Sequence, residues 1–256
     1  MKLSITIIGH NESSHLKELL PQLNWADEIV YVDCESADDS LEIARRAGCR
    51  CFQRPNNPNL NVNKAFAVKQ ATGDWIFYLD PDERIPPALA EEIREVIQQP
   101  GRYVAFQVNR RNHYFGRWLR YGSQYPDVQL RLFRKGHAYF PQQHVHEKLV
   151  VRGRIGHLQQ DMLHYPYQTI SQYFKKFDFY TRFEAHYLLQ QGVRITAWNN
   201  LRYLFWIPFG RFFRRYFIKM GFRDGLPGFF ACTFDAMNVI VRYLKLWELY
   251  KNRDAV

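Results

Sequence analysis

The chain has few cysteines, and they are not arranged to bind metal. Cys34, Cys49, Cys51 and Cys232 form no Cys-x-x-Cys pair and no ladder of ligand spacings. Reduced thiols in a cytosolic compartment are therefore expected. Long hydrophobic runs are missing as well. Asp235, Arg242 and Lys245 interrupt the last candidate, so no window approaches the roughly 18 apolar residues of a transmembrane span. The apolar run at residues 3–8 leads at once into Gly9-His10-Asn11, too short for the core of a secretory signal. Internal repeats and low-complexity tracts are absent. Acidic residues are the scarcer charge: 25 Asp and Glu stand against 35 Lys and Arg, for a net charge of +10. Anionic partners are expected, whether phosphates, acidic lipids or nucleic acid.

The rest of the composition is globular, with 46% hydrophobic and 23% charged residues in a chain of 256. That length suits one large α/β domain, or an ordinary domain with an appendage. Residues 3–8 (LSITII), 28–33 (EIVYVD) and 75–79 (WIFYL) read as buried strands, with a short strand at 49–53. Helical spacing falls between them, at 15–23 with Ser13 or Ser14 as its cap, at 38–47 stopped by Gly48, and at 62–71. A fourth helix follows at 87–98, with proline in its first turn. This alternation predicts a Rossmann-like, mostly parallel sheet. Ligands of such sheets bind beyond the carboxyl ends of the strands, which singles out residues 9–12, 33–39 and 80–84. After residue 103 the pattern changes to strands at 103–110 and 128–134, a possible third at 149–151, and a long helix at 170–190.

The chain after the fourth strand reads Asp80-Pro81-Asp82-Glu83-Arg84. If it stays extended, Asp80 and Asp82 point to one side and make a hard-oxygen site for Mg²⁺ or Mn²⁺ on a diphosphate. The competing reading is a solvated turn before a helix N-terminus, where acids are common. Asp33 ends the second strand and can accept from a uracil imide or a ribose hydroxyl, whereas Asp38 or Asp39 suits a helix cap better. Asn11 and Glu12 end the first strand beside the same crevice. Lys64 would meet a phosphate, or else sit on the surface. Arg131 and Phe133 share one face of their strand, so one arginine can reach a phosphate.

These residues resemble the family 2 glycosyltransferases of the GT-A fold. The resemblance rests on Ile5-Thr-Ile-Ile-Gly-His-Asn11-Glu12, on Val32-Asp33-Cys-Glu-Ser36-Ala-Asp38-Asp39-Ser40, and on Gly73-Asp74-Trp75-Ile-Phe-Tyr-Leu-Asp80-Pro-Asp82-Glu83. A narrower similarity to lipopolysaccharide core β-glucosyltransferases rests on Pro126-Asp127-Val-Gln-Leu-Arg131, His146-Glu147, His164-Tyr165, Gly221-Phe-Arg-Asp224-Gly225 and Lys245-Leu-Trp247-Glu248. The resemblance implies inverting transfer of a hexose, often glucose, from a UDP-sugar to a lipid-linked or lipopolysaccharide-core glycan. It implies that Asp33 and Asp80 hold the nucleoside and Asp82 the metal. The family's general base is commonly written as a Glu-Asp pair. Here the sequence departs to His146-Glu147, making Glu147 the candidate base and Asp127 the reserve. His164 is either a further metal ligand or a hydrogen-bonded structural histidine.

From residue 196 to the end, ten Lys and Arg stand against four Asp and Glu among many aromatics. Two regions are therefore expected: a catalytic domain over 1–195 and a basic, aromatic helical region over 196–256. Breaks are expected at Pro208-Phe209-Gly210 and Gly225-Leu226-Pro227-Gly228. An amphipathic helix pair lying on the inner face of the cytoplasmic membrane fits this composition; a cover for the catalytic domain or a dimer interface is the alternative. Nucleic-acid binding would use the charge and the aromatics but leaves three acidic strand ends unexplained. A sugar nucleotidyltransferase would need a glycine-rich, Arg-bearing loop where Gly9-His10-Asn11-Glu12 stands. A non-catalytic membrane-bound sugar-nucleotide binder is the remaining alternative.

Overall fold

The computed structural model describes residues 1–141 and 148–254. In chain order the first elements are β1 (Leu3–Gly9), α1 (Ser13–Leu19, extended by a 3₁₀ turn Leu20–Leu23), β2 (Glu28–Asp33), α2 (Ser40–Arg46), β3 (Arg50–Gln53), α3 (Leu60–Gln70), β4 (Trp75–Leu79), β5 (Glu83–Arg84) and α4 (Pro87–Gln98). There follow β6 (Tyr103–Tyr114), β7 (Arg117–Trp118), β8 (Asp127–Arg134), β9 (Ala138–Tyr139), β10 (Val150–Val151) and β11 (Arg154–Tyr167). The last part is helical: α5 (Ile170–Gln190), α6 (Ala197–Leu201), α7 (Ile207–Phe213) and α8 (Gly225–Asp254).

The sheet runs β3-β2-β1-β4-β8-β6-β11-β5, with β7 on β6. Its first half is parallel: β1 lies between β2 and β4 with Gly9 opposite Asp33 and Ile7 opposite Leu79. The class is α/β with a Rossmann-like parallel half, as the alternation predicted. Beyond β4 the direction reverses, since β8 pairs antiparallel with β4 and with β6. Every residue of β1 and β4 is buried, which explains why both read as continuous apolar runs. Trp75, Phe77, Ile5 and Ile7 form the centre of the core. Truncating Phe77 to Ala would cost about 3–5 kcal/mol by loss of burial and cavity formation.

Two compact units result. The first comprises residues 1–110 and 127–164, the second 111–126 and 165–256. The compositional boundary at 195/196 falls inside the second. Its core packs α5 and α8 around Ala185, Leu188, Val239, Tyr243 and Leu246. Thr169 starts α5 with a reciprocal capping box to Gln172.

Several local expectations change. Neither Ser13 nor Ser14 caps α1. Helix α1 already begins at Ser13, and the Ser13 N–H donates to Asp38 Oδ2 at 3.0 Å, so the cap comes from the loop after β2. Pro208 does not break its helix: π-helical turns at Arg202–Trp206 and Arg214–Ile218 flank α7, and such turns accommodate a missing N–H donor. The second break falls earlier than expected, where Met220 adopts φ 54° before the 3₁₀ turn Gly221–Asp224, and α8 begins at Gly225. Among the described residues, no helix is long and apolar enough to cross a membrane.

Candidate active site

The carboxyl ends of β2, β1 and β4 lie side by side. Asp33 therefore sits about two strand spacings, roughly 10 Å, from the residues that follow β4. Gly9 is required at the end of β1, because a Cβ there would lie 2.9 Å from the Tyr31 hydroxyl. Just past it Asn11 has φ 56°, and past β2 Glu35 has φ 56°. Such left-handed non-glycine residues are uncommon and cluster at functional sites. Asn11 is exposed; its side-chain oxygen accepts from Ala37 N–H at 2.8 Å and its N–H donates to Ser36 Oγ at 2.9 Å. Glu12 N–H donates to Ser40 Oγ at 2.8 Å. These bonds tie the loops after β1 and β2 into one rim. Asp33 lies beneath it, buried, accepting from Ser36 N–H at 3.2 Å and from the Tyr31 hydroxyl at 3.5 Å.

The chain does not stay extended after β4. Glu83 N–H donates to the Asp80 carbonyl at 3.0 Å, closing a turn through Pro81 and Asp82. The expected alternation of Asp80 and Asp82 on one side is replaced by a division of labour. Asp80 turns toward the sheet. Its Oδ1 accepts from the Tyr78 hydroxyl at 2.5 Å, and its Oδ2 from Arg131 Nη2 at 2.8 Å. Lys64 Nζ is 3.8 Å from Asp80 Oδ1 and donates to the Tyr78 hydroxyl. Burial by itself would raise the Asp80 carboxyl, but Lys64 and Arg131 outweigh it and hold the group well below the usual carboxylate range. Asp80 is thus a fixed anion, and its side chain keeps 27% exposure.

Lys64 is not a surface lysine. Its side chain is 15% exposed and its ammonium lies 4.3 Å from the centre of the Tyr78 ring. Burial lowers its pKa, against the pull of Asp80. Arg131 approaches the same ring at 4.2 Å. A β-bulge places it there: Phe106 pairs with Leu132 and Gln107 with Leu130, leaving Arg131 as the extra residue of β8, and bulges commonly re-aim a side chain.

Four further residues, Glu83, Arg110, Gln129 and Tyr78, were not anticipated as partners. Glu83 is fully buried and accepts from Arg131 and, at 3.0 Å, from Arg110. Arg110 also contacts Asp127 Oδ2 through Nη2 at 2.8 Å, while Gln129 Nε2 donates to Asp127 Oδ1 at 2.7 Å. Tyr78 stands two residues before Asp80, the strand period that could have flagged it. Arg110 and Asp127 are direct cross-strand partners, a pairing visible only once register is known.

Asp82 has a different partner from Asp80: its Oδ1 lies 3.6 Å from Nε2 of His164 on β11. Strand β5 brings them together, since His164 pairs with Glu83 in the antiparallel ladder. No group of three or more His, Cys, Asp or Glu that could hold a metal occurs among the described residues. Glu147 lies outside the described residues.

The description "Glycosyl transferase family 2" matches residues 4–158. The chain is 28% identical over 272 aligned residues to an uncharacterized glycosyltransferase of Rickettsia felis, covering 100% of this chain and 93% of that one. It is 29% identical over 259 residues to the lipopolysaccharide core biosynthesis glycosyltransferase LpsC of Rhizobium meliloti, with 97% and 93% covered. Among solved structures it is similar to residues 1–349 of S. aureus TarS, with TM-score 0.49, 14% identity, and 98% and 92% covered. With more than half of its length matched to one family, and acidic strand ends gathered on one edge of its sheet, the chain belongs to the family 2 glycosyltransferases.

Proposed function

We propose that the protein transfers a hexose, glucose in the first instance, from a UDP-sugar to a hydroxyl of a lipid-linked or lipopolysaccharide-core glycan, with inversion. The observation that carries this reading is that Asp33 and the turn bearing Asp80 and Asp82 stand at the carboxyl ends of the parallel strands, with Lys64 and Arg131 paired to Asp80. The similarity to LpsC over nearly the whole chain supports the acceptor class.

Asp33 and Asp80 hold the nucleoside, beneath a rim supplied by Asn11 and Glu12. Asp33 exchanges the Ser36 N–H it now accepts for a donor group of the ligand. Lys64 and Arg131 place two cations near the diphosphate in a poorly solvated setting, where charge stabilisation of a leaving group is strongest. Asp82 and His164 fit Mg²⁺ or Mn²⁺: an oxygen and a nitrogen donor lie 3.6 Å apart, and such ions commonly take one or two carboxylates together with substrate phosphates. The ion, when bound, neutralises charge on the departing diphosphate. Glu147 takes the proton of the attacking hydroxyl. Asp127 is the reserve for that role, with Arg110 and Gln129 on its two oxygens.

The second unit brings the enzyme to its acceptor by resting on the inner face of the cytoplasmic membrane. Trp198, Phe205, Trp206 and Phe209 are all exposed, Trp198 and Phe209 by 67%, and Arg202 stands beside Trp198 and Trp206. Exposed aromatics beside cations suit the headgroup region of anionic lipid.

The decisive experiment offers a panel of UDP- and GDP-sugars to the purified protein, with lipopolysaccharide core as acceptor, with and without Mn²⁺. Release of UDP and extension of the core are expected from one UDP-hexose. Failure to bind any nucleotide sugar would refute the reading.

A further inference from the structure

The second unit contains a polar cavity of about 360 Å³, within the range of roughly 300–1,000 Å³ for small-molecule sites. Helices α5, α7 and α8, the π-helical turn after α7, and the ends of β6 and β11 line it. Three arginines contribute to its wall: Arg211, Arg215 and Arg242. Two carboxylates face them. Asp235 Oδ1 forms ion pairs with Arg215 at 2.8 Å and Arg211 at 3.5 Å, and Glu184 accepts from Arg242 at 3.3 Å. The cavity therefore keeps one cation in excess. Its hydrogen-bond capacity is also unbalanced. Each guanidinium carries five N–H donors, few of which are used, and Arg242 Nε is buried without a partner among the described residues.

Tyr173 adds a hydroxyl to the cavity wall. It lines the cavity, is only 9% exposed, and stacks on Phe234 at 4.5 Å. Its hydroxyl has no hydrogen-bond partner among the described residues. The hydroxyl is not sealed from solvent, and burial of the side chain raises its pKa, so it is a neutral donor open to a ligand. Asn238 adds an amide to the same wall.

The mixture of groups decides the ligand class. A simple anion would satisfy the arginines but be repelled by Glu184 and Asp235. A neutral sugar would offer hydroxyls to those carboxylates but leave the surplus cation uncompensated. A molecule carrying both hydroxyl donors and one acidic group satisfies every member. We propose that this cavity binds an anionic monosaccharide unit, bearing a phosphate or a carboxylate, within the glycan acceptor. The assignment to the acceptor rests on the function proposed above; the binding of an anionic sugar does not.

Calorimetric titration of the full chain, without donor, tests it. The probes are glucose 6-phosphate, glucuronate, glucose and inorganic phosphate. The two anionic sugars are expected to bind, with glucose and phosphate each at least about tenfold weaker. Tyr173→Phe, which deletes a hydroxyl with no internal partner, is expected to weaken glucose 6-phosphate about threefold to tenfold with an unchanged circular dichroism spectrum. Arg211→Gln, at the most exposed of the three arginines, is expected to weaken it tenfold or more and to leave glucose unaffected. Saturating UDP should not displace the sugar. The proposal is overturned if glucose or phosphate alone binds as tightly as the sugar phosphate, or if both variants bind like the wild type. Displacement by UDP, or by phosphatidylglycerol vesicles, would overturn it too. Because no turnover is read, failure here leaves the transferase reading standing, and failure of transfer leaves this site standing.

Discussion

Replacing Arg131 with Met tests the charge network that fixes Asp80. Arg131 is buried and touches both Asp80 and Glu83. Removing one partner of a buried pair usually costs about 3–5 kcal/mol, because an uncompensated charge is left behind. Here Arg110 still holds Glu83 and Lys64 still faces Asp80, so the lower end, about 3 kcal/mol, is expected. With a urea m-value of about 3 kcal/mol/M, the unfolding midpoint should fall by about 1 M. The pH dependence supplies a second check. The folded-state pKa of Asp80 is depressed, so its contribution is fully present above the ordinary aspartate value of about 3.9 and is lost as pH falls through the lower, folded value. The gap between wild type and Arg131→Met should therefore narrow below about pH 4. Adding Glu83→Gln to Arg131→Met should recover part of the loss, since a buried carboxylate that has lost one of its two guanidinium partners is neutralised. A midpoint shift under about 0.3 M, or strict additivity of the two substitutions, would refute the coupling.

Asp82→Asn should abolish Mn²⁺-stimulated UDP release, by at least about a hundredfold, while UDP still binds; equal turnover with and without the substitution would remove the metal role. Glu147→Gln should lose transfer by a similar factor with nucleotide-sugar binding intact, read by comparing product formation with calorimetry. If it transfers normally, Asp127→Asn becomes the next variant to assay. Changing Trp198, Phe205, Trp206 and Phe209 together to Ser should reduce flotation with anionic vesicles at least about tenfold, with thermal stability retained because none of the four is buried. Unchanged flotation would refute a membrane-facing surface.

The parallel half of the fold was legible because strands covered on both faces read as unbroken apolar runs, as in β1, β2 and β4. Strand β11 was not: most of Arg154–Tyr167 is exposed or only partly covered, so its pattern shows few consecutive apolar residues. With β11 unseen, only the family resemblance, and no strand pairing, brought His164 to the same site as Asp82. Asp80 could be recognised from its position after a buried strand, but its turn through Pro81 could not, and that turn separates it from Asp82. Glu83 looked like a solvated acid before a helix; its burial depends on Arg110 and Arg131 arriving from β6 and β8, which only sheet order reveals. Pro208 misled in the opposite way, because neighbouring π turns absorbed a residue that normally ends a helix.

Arg110 of β6 and Asp127 of β8 stand opposite one another, on either side of residues 111–126. Their clasp pins both ends of that segment in register, whatever lies between. A closed span of this kind tolerates lengthening cheaply, at roughly 0.6 kcal/mol for each doubling. A change in the length of residues 111–126 is therefore expected to leave the Arg110–Asp127 pair intact.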